Sequence, residues 1–401
     1  MNILILNAGS SSLKYQLIDM DGEKLLAKGL VERIGIEGSH INQKANGQVF
    51  DATAPMANHT EGIQWMLKAL LDPEKGALKS MDEIGAVGHR VLHGGERFTA
   101  SVLVNDEVKE AIKANIPLGP LHNPANLMGI EACEKVMPGT PNVAVFDTAF
   151  HQTMPPKAYL YGVPMEYYEK LHVRRYGFHG TSHRYVSKRV CEFLGMDRSK
   201  TRVITCHLGN GSSMCAVENG KCIDTSMGIT PLEGVIMGTR SGSMDPAVVQ
   251  YICNNEHISV DEMLTICNKK SGLLGISGLS SDMRDIDKAA DEGNERANIA
   301  RDMLVYGIRK YIGSYAAAMN GVDVIVFTAG IGENNCALRE RVMQGFEYLG
   351  AKLDPAKNAG CREEAVISTD DSKVKICVIP TDEEIVIARD TLCIVTGKPI
   401  E

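Results

Sequence analysis

Ile3-Leu4-Ile5-Leu6-Asn7-Ala8-Gly9-Ser10-Ser11-Ser12-Leu13-Lys14-Tyr15-Gln16-Leu17-Ile18 reads as two strands joined by a Gly/Ser loop. The first four residues form a short apolar run, long enough for a buried strand. After the loop, Leu13, Tyr15 and Leu17 alternate with Lys14 and Gln16, the period of a second strand. Asp21-Gly22 then marks a hairpin turn. A loop of this composition, with Asn7 and Lys14 at its ends, can turn backbone N–H groups and hydroxyls onto an anion. By itself it is more readily an ordinary turn, since Gly-Ser loops usually just turn the chain. What changes the reading is a partial copy downstream. Val203-Ile204-Thr205-Cys206 leads into His207-Leu208-Gly209-Asn210-Gly211-Ser212-Ser213, then Met214-Cys215-Ala216-Val217 and the turn Asn219-Gly220. Ser11-Ser12 align with Ser212-Ser213. Two strand–loop–hairpin units predict a duplicated fold whose phosphate loops face each other across a cleft.

A chain of 401 residues is too long for one ordinary core and predicts two domains. Its 44% hydrophobic and 23% charged content is that of a soluble globular protein. The formal charge of −8 disfavours a nucleic-acid surface. Eleven cysteines without a C-x-x-C pair are expected as buried or free thiols in a reducing cytoplasm. A strand rather than a signal peptide opens the chain, and no apolar run is long enough to span a membrane.

Working outward, residues 23–60 continue the hairpin and turn polar. Ile63, Met66, Leu67, Leu70 and Leu71 then fall at helical spacing. The strand beginning at Ile84 ends in Gly88-His89-Arg90-Val91-Leu92-His93-Gly94-Gly95-Glu96-Arg97. A guanidinium there can grip a carboxylate or phosphate through two parallel hydrogen bonds. A structural ion pair with a nearby acid explains Arg90 equally well. Pro117 to Pro124 is rigid and precedes a helix over 125–136, and Asn142-Val143-Ala144-Val145-Phe146 is an apolar strand ending at Asp147. Ligands of α/β sheets bind beyond the carboxyl ends of strands, where Asp147 falls.

Tyr176-Gly177-Phe178-His179-Gly180-Thr181-Ser182-His183 surrounds histidines with small residues before a helix over 185–194. His89/His93 and His179/His183 have the i, i+4 spacing of zinc ligands, but neither pair has the adjacent glutamate of H-E-x-x-H and the glycines favour loops. Zinc is therefore disfavoured, and His122, His179 and His207 stand out only because they adjoin loops. Further on come Gly238-Thr239-Arg240-Ser241-Gly242, helices around 246–254 and 260–269, and a Gly-rich run to Asp282-Met283-Arg284. A long helix over 294–319 carries the core stripe Ala297, Ala300, Leu304, Ile308 and Ile312. A strand over 322–327 meets Gly330-Ile331-Gly332-Glu333-Asn334, a helix start suited to nucleotide. Thr381-Asp382-Glu383-Glu384 opens a closing helix after a strand over 374–380. Its acids suit the helix dipole or, alternatively, Mg²⁺. No G-x-x-x-x-G-K-[ST] loop and no H-R-D or D-F-G set occurs, which excludes a P-loop or protein-kinase fold.

Taken in order, these motifs resemble the acetate kinase family over essentially the whole chain. Two positions depart from its pattern: Leu92, where Val or Ile is expected, and Asp382, where Asn is usual. The resemblance implies an α/β fold of two duplicated actin/sugar-kinase-like (ribonuclease H-like) domains flanking a nucleotide cleft. The first covers 1–150 and is completed by the helix over 383–397; the second, nucleotide-binding, covers 151–382. It also implies reversible transfer of the ATP γ-phosphoryl group to acetate, giving acetyl phosphate and ADP. Partners would be these small molecules and a second copy in a homodimer, with no nucleic acid and no membrane.

By motif position, Asp147, His179 and Arg240 look catalytic. Arg90, Leu92, Leu121, His122, Phe178 and Pro231 would bind acetate. Lys14, His207, Leu208, Gly209, Asn210, Gly211, Asp282, Met283, Arg284, Gly330, Ile331, Gly332, Glu333 and Asn334 would bind nucleotide. Asn7 and Glu383 would hold Mg²⁺, with Mn²⁺ a possible substitute. The chemistry is consistent with this set. A carboxylate is already ionised near pH 7, so the task is bringing two anions together rather than removing a proton. Asp147 is then expected to orient an arginine or water rather than act as a base. A propionate or other short-chain carboxylate kinase of the same family is the alternative. A non-catalytic nucleotide-binding regulator would lack Arg90, Asp147 and Arg240.

Overall fold

A computed structural model describes residues 1–400. The chain packs as two compact units, Met1–Phe150 with the segment from Asp382, and His151–Thr381.

The first unit holds eight strands: β1 (Asn2–Ala8), β2 (Ser12–Asp19), β3 (Lys24–Glu32), β4 (His40–Ala45), β5 (Gln48–Thr53), β6 (Ile84–Val91), β7 (Val102–Leu103) and β8 (Asn142–Phe146). Their order across the sheet is β5-β4-β3-β2-β1-β6-β8-β7. β1 pairs antiparallel with β2, placing Asn7 opposite Lys14, and parallel with β6 on its other edge. A strand covered on both faces has no polar side, which is why Ile3–Leu6 reads as an unbroken apolar run. β2 is different: Leu13, Tyr15 and Leu17 are buried while Lys14 is exposed. The closing helix Glu383–Thr396 packs on β1, β6 and β8. Gly88 on β6 permits this approach, because a side chain there would collide with Ile387 and Thr391.

The second unit holds β9 (Arg202–Leu208), β10 (Ser212–Glu218), β11 (Lys221–Thr225), β12 (Val324–Thr328), β13 (Ala365–Val366) and β14 (Lys375–Val378). Their order is β11-β10-β9-β12-β14-β13. The run β3-β2-β1-β6-β8 of the first unit is thus repeated as β11-β10-β9-β12-β14, with the same pattern of antiparallel hairpins and parallel crossovers. This is the duplication the two loop sequences predict. The long helix Glu295–Ala318 buries Ala297, Ala300, Leu304, Ile308 and Ile312 in the core of this unit.

The helix start nearest the second glycine loop departs from expectation. The predicted helix over 185–194 begins at Gly180, so His183 lies on a helix, not in a loop. Gly180, Thr181 and Ser182 are poor helix formers, but Ser182 and His183 are held by side-chain hydrogen bonds to β9 and β10, which outweigh propensity. The closing helix ends at Thr396, within one residue of the expected 397. All eleven cysteines are free thiols. Among the described residues no helix is long and apolar enough to cross a membrane.

Candidate active site

The first unit gathers charge at the carboxyl ends of β6 and β8. These strands are parallel neighbours with Arg90 opposite Val145 and Val91 opposite Phe146, so Asp147 emerges beside Arg90. The pair is bidentate: Arg90 Nε donates to Asp147 Oδ1 at 3.0 Å and Nη2 to Oδ2 at 2.7 Å. Asp147 is fully buried, whereas the Arg90 side chain is 26% exposed. Asp147 above all, against the opposing effect of burial, holds the guanidinium more firmly protonated than usual. Of the two sequence readings of Arg90, the structural ion pair is present, on the edge formed by Nε and Nη2.

Glu383, at the start of the closing helix, lies 3.7 Å from Arg90 Nε. Burial pushes its carboxyl up to about 7; Arg90 pulls it down, while Asp147, Glu384 and Asp382 push it further up. Three carboxyl groups, those of Asp147, Glu383 and Glu384, act on this one guanidinium, and the hard oxygens of Glu383 and the Asn7 amide are of the type that Mg²⁺ takes. Asn7 is the residue before the last of β1, and Asp382 caps the helix by accepting from Ile385 N at 2.9 Å.

Two buried asparagines set the loop after Arg90. Asn126 Oδ1 accepts from Leu92 N at 3.0 Å while its Nδ2 donates to Ala8 O at 3.0 Å, tying the ends of β6 and β1 together. Asn123 accepts from His93 N and donates to His93 O, at 3.1 and 3.0 Å. Neither was picked out from sequence. The available signal is two amides at the start of a helix whose inner face is otherwise apolar. The apolar residues expected to meet the acceptor split by environment: Leu92 is buried and Leu121 is 52% exposed. His122 immediately precedes the helix Asn123–Val136.

The second unit gathers imidazoles and hydroxyls. His179 precedes the helix Gly180–Leu194 in the left-handed conformation, φ 55°. Its Nδ1 lies 2.8 Å from Ser213 Oγ on β10, and the same hydroxyl lies 2.7 Å from His183 Nε2. His183 Nδ1 reaches Thr205 Oγ1 at 2.7 Å. Burial, aided by His151 and His207, drives the His183 pKa well down, so this ring is neutral. His207 stacks on His179 with centroids 4.1 Å apart and bonds Ser182 Oγ at 2.8 Å. Ser182 in turn accepts from Thr381, whose N–H reaches Glu333. The sequence reading named His179 and His207 but left Thr205, Ser182, His183 and Ser213 out of the site. Polar residues on strands buried at nearly every position, as β9 and β10 are, were the clue.

Arg240 is the counterpoint to Arg90. Nη1 donates to Pro231 O at 3.1 Å and approaches Met237 Sδ at 3.7 Å. Among the described residues no carboxylate pairs with it, and burial alone moves its pKa, downward. A methyl group built on Gly211 would lie 3.4 Å from Arg240 Nη1 and 3.5 Å from His179 Nε2, so guanidinium and imidazole converge on the glycine loop. Asn210 is held against Gly238, where no side chain would fit.

The remaining positions divide. Phe178 is 1% exposed, and Leu208 and Met283 belong to the hydrophobic core, so their side chains pack in the interior and offer a ligand no surface. Asp282 caps the helix Met283–Asp291 and takes the guanidinium of Arg284, which holds its carboxyl down to about 2. Gly330, Ile331, Gly332, Glu333 and Asn334 lie in the short helix Ala329–Asn334, where Glu333 anchors Thr381 and Asn334 bonds Gly330 O. Lys14 is exposed on β2, beside Asn7. His89 is not a metal ligand of the i, i+4 kind. It is buried on β6, bonded to Asn142 Oδ1 at 2.7 Å, and burial pushes its pKa down to about 4.

Known proteins resemble this chain over nearly its whole length. The model of the acetokinase family matches residues 2–389. The acetate kinase of Helicobacter hepaticus is 58% identical over 397 residues, covering 99% of either chain. That of Clostridium botulinum is 58% identical over 391 residues, covering 98% of each. The crystal structure of Porphyromonas gingivalis acetate kinase superimposes with a TM-score of 0.95 at 50% identity over 98% of this chain and 99% of that one. A propionate kinase from Francisella tularensis follows at 0.91 and 43%, over 98% and 99%.

Proposed function

This chain belongs to the acetokinase family and is a kinase that transfers phosphate to a carboxylate, acetate, and from that premise we propose how its residues divide the work. Arg90 receives the acetate carboxylate on its Nη1 edge while Asp147 holds the Nε edge. The apolar methyl faces Leu92, with Leu121, His122 and Pro231 completing the acceptor set, and the buried Phe178 acts only by placing its neighbour His179. Asp147 acts by orienting Arg90, since an ionised acceptor needs no base.

Arg240 and His179 stabilise the charge that spreads over the phosphoryl oxygens during transfer. The observation that carries this assignment is the half-buried Arg240 guanidinium without a carboxylate partner. A buried cation is costly unless something anionic completes it. His179 is set up for the same task by its hydrogen-bond chain. With His183 neutral, Thr205 O–H donates to His183 Nδ1, His183 Nε2–H to Ser213 Oγ, and Ser213 O–H to His179 Nδ1. That sequence leaves Nε2–H of His179 as a donor without requiring a charged ring.

Lys14, the backbone of residues 207–211, Asp282–Arg284 and Gly330–Asn334 hold ATP or ADP. Asn7 and Glu383 hold Mg²⁺, or Mn²⁺ in its place. When bound, the metal neutralises phosphate charge. The enzyme works as a cytoplasmic homodimer. The deciding experiment traps acyl phosphate with hydroxylamine in the presence of ATP, Mg²⁺ and a panel of short carboxylates. Acetyl hydroxamate as the dominant product is expected; none from acetate would sink the reading.

A further inference from the structure

Behind the imidazole cluster, three soft donors meet in a pocket closed to solvent. His151 comes from the turn Ala149–Thr153, Cys215 from β10 and Cys222 from β11. All three residues are fully buried. Cys222 pairs with Val217, and a bulge follows, so Cys215 and Cys222 are diagonal neighbours on one face of the hairpin. Cys215 Sγ and Cys222 Sγ are 3.5 Å apart, and His151 Nδ1 lies 3.1 Å from Cys222 Sγ and 4.0 Å from Cys215 Sγ. The three ligand atoms lie within 4.8 Å of one another.

We propose that His151, Cys215 and Cys222 form a zinc site that braces the peptide between Phe178 and His179. Tetrahedral zinc with its usual bond lengths separates two sulfurs by about 3.8 Å and a sulfur from a nitrogen by about 3.6 Å. The separation of the sulfurs is close to the first figure, and the two sulfur–nitrogen distances bracket the second. The far side of the ring is also that of a metal ligand. His151 Nε2 donates to Phe178 O at 2.9 Å, which fixes the proton on Nε2 and turns the Nδ1 lone pair to the sulfurs. Charge selects the cation. Zn²⁺ with two thiolates is neutral, whereas copper(I) would leave a negative charge buried.

Binding exchanges two protons for one ion: two S–H bonds break, two S–Zn bonds form, and both protons leave to solvent. The link to His179 rests on the proposed role of that residue, but the site itself does not. Full-length reduced protein, stripped with a chelator and then given Zn²⁺ in excess Mg²⁺, is weighed by native mass spectrometry. A gain of one zinc less two protons per chain is expected. Cobalt(II) in place of zinc should give an intense thiolate-to-metal absorption that zinc abolishes. Cys215→Ser and Cys222→Ser should each weaken binding by more than about 100-fold, beyond the loss typical of outer-shell changes, whereas Cys361→Ser should not. The wild-type mass needs no variant to fold. No zinc uptake would overturn the proposal. So would a loss of two protons without metal, which marks a Cys215–Cys222 disulfide, or copper(I) uptake alone. Unchanged zinc affinity in both serine variants would place the ion elsewhere and overturn it too.

Discussion

Arg90 and Arg240 carry the same guanidinium in two differently built surroundings. Arg90 is gripped by a buried carboxylate at 2.7 and 3.0 Å and flanked by Glu383. Among the described residues Arg240 hydrogen-bonds to a carbonyl and a thioether and to no carboxylate. The first arginine serves the fold and, in the proposed reading, the substrate; the second has no structural partner whose loss would be felt. Identical chemistry thus predicts opposite stability effects for the same substitution. Arg90→Ala strands the Asp147 charge in the core and should cost about 3–5 kcal/mol of stability. Arg240→Ala should leave stability nearly unchanged or raise it. Both should lower kcat/KM by about two orders of magnitude or more, about 3 kcal/mol. Chemical denaturation alongside steady-state kinetics separates the two. Arg90→Ala with Asp147→Asn should recover folding without activity. Equal stability losses in the two single variants would break the comparison, and near-normal turnover in a folded Arg240→Ala protein would remove it from the site.

Neutral buried imidazoles give a second contrast with these permanent cations. An unfolded histidine titrates near 6.5, whereas burial pushes folded His89 down to about 4. Above about pH 6.5 neither state takes up a proton there. As pH falls toward 4 only the unfolded chain does, so stability declines through that window by up to about 3 kcal/mol and then levels off. His89→Gln, which can keep a bond to Asn142, should flatten that part of the profile measured by urea titration. An unchanged slope would mean that His89 is not the group responsible.

Ser213 tests the second unit's positioning chain at smaller amplitude. Ser213→Ala leaves two ring nitrogens without their bridging hydroxyl. A loss of about 1–2 kcal/mol, roughly tenfold in kcat with little change in KM, is expected. A KM effect alone would show that Ser213 organises binding instead. The smallest effect concerns acceptor size. Leu at position 92 adds about one methylene over Val, worth roughly 1–3 kcal/mol in an apolar pocket. Acetate should therefore exceed propionate by about tenfold or more in kcat/KM, and Leu92→Ala should narrow the gap. Equal use of propionate by the unmodified enzyme would favour the propionate-kinase alternative.

The strands, the loop duplication and most helix cores were legible because they follow local rules. Apolar runs mark β1 and β9, Asn219-Gly220 marks a turn with both residues at positive φ, and a 3.6-residue stripe marks Glu295–Ala318. Order along the chain also carried the family and hence the reaction. What sequence could not supply were relations among residues far apart in the chain. Arg90 reads equally as ion pair or ligand until Asp147, 57 positions on, is seen to take two of its five donors. The start of the helix at Gly180 was misplaced because Ser182 and His183 are fixed by bonds to β9 and β10, which no local propensity encodes. For the same reason the i, i+4 histidine pairs that drew attention in the sequence are not where soft donors converge. His151, Cys215 and Cys222 meet only because a turn packs against a bulged hairpin some 70 residues away. Spacing along a strand or helix determines which face a side chain takes; which distant side chain waits on that face is decided only by tertiary packing.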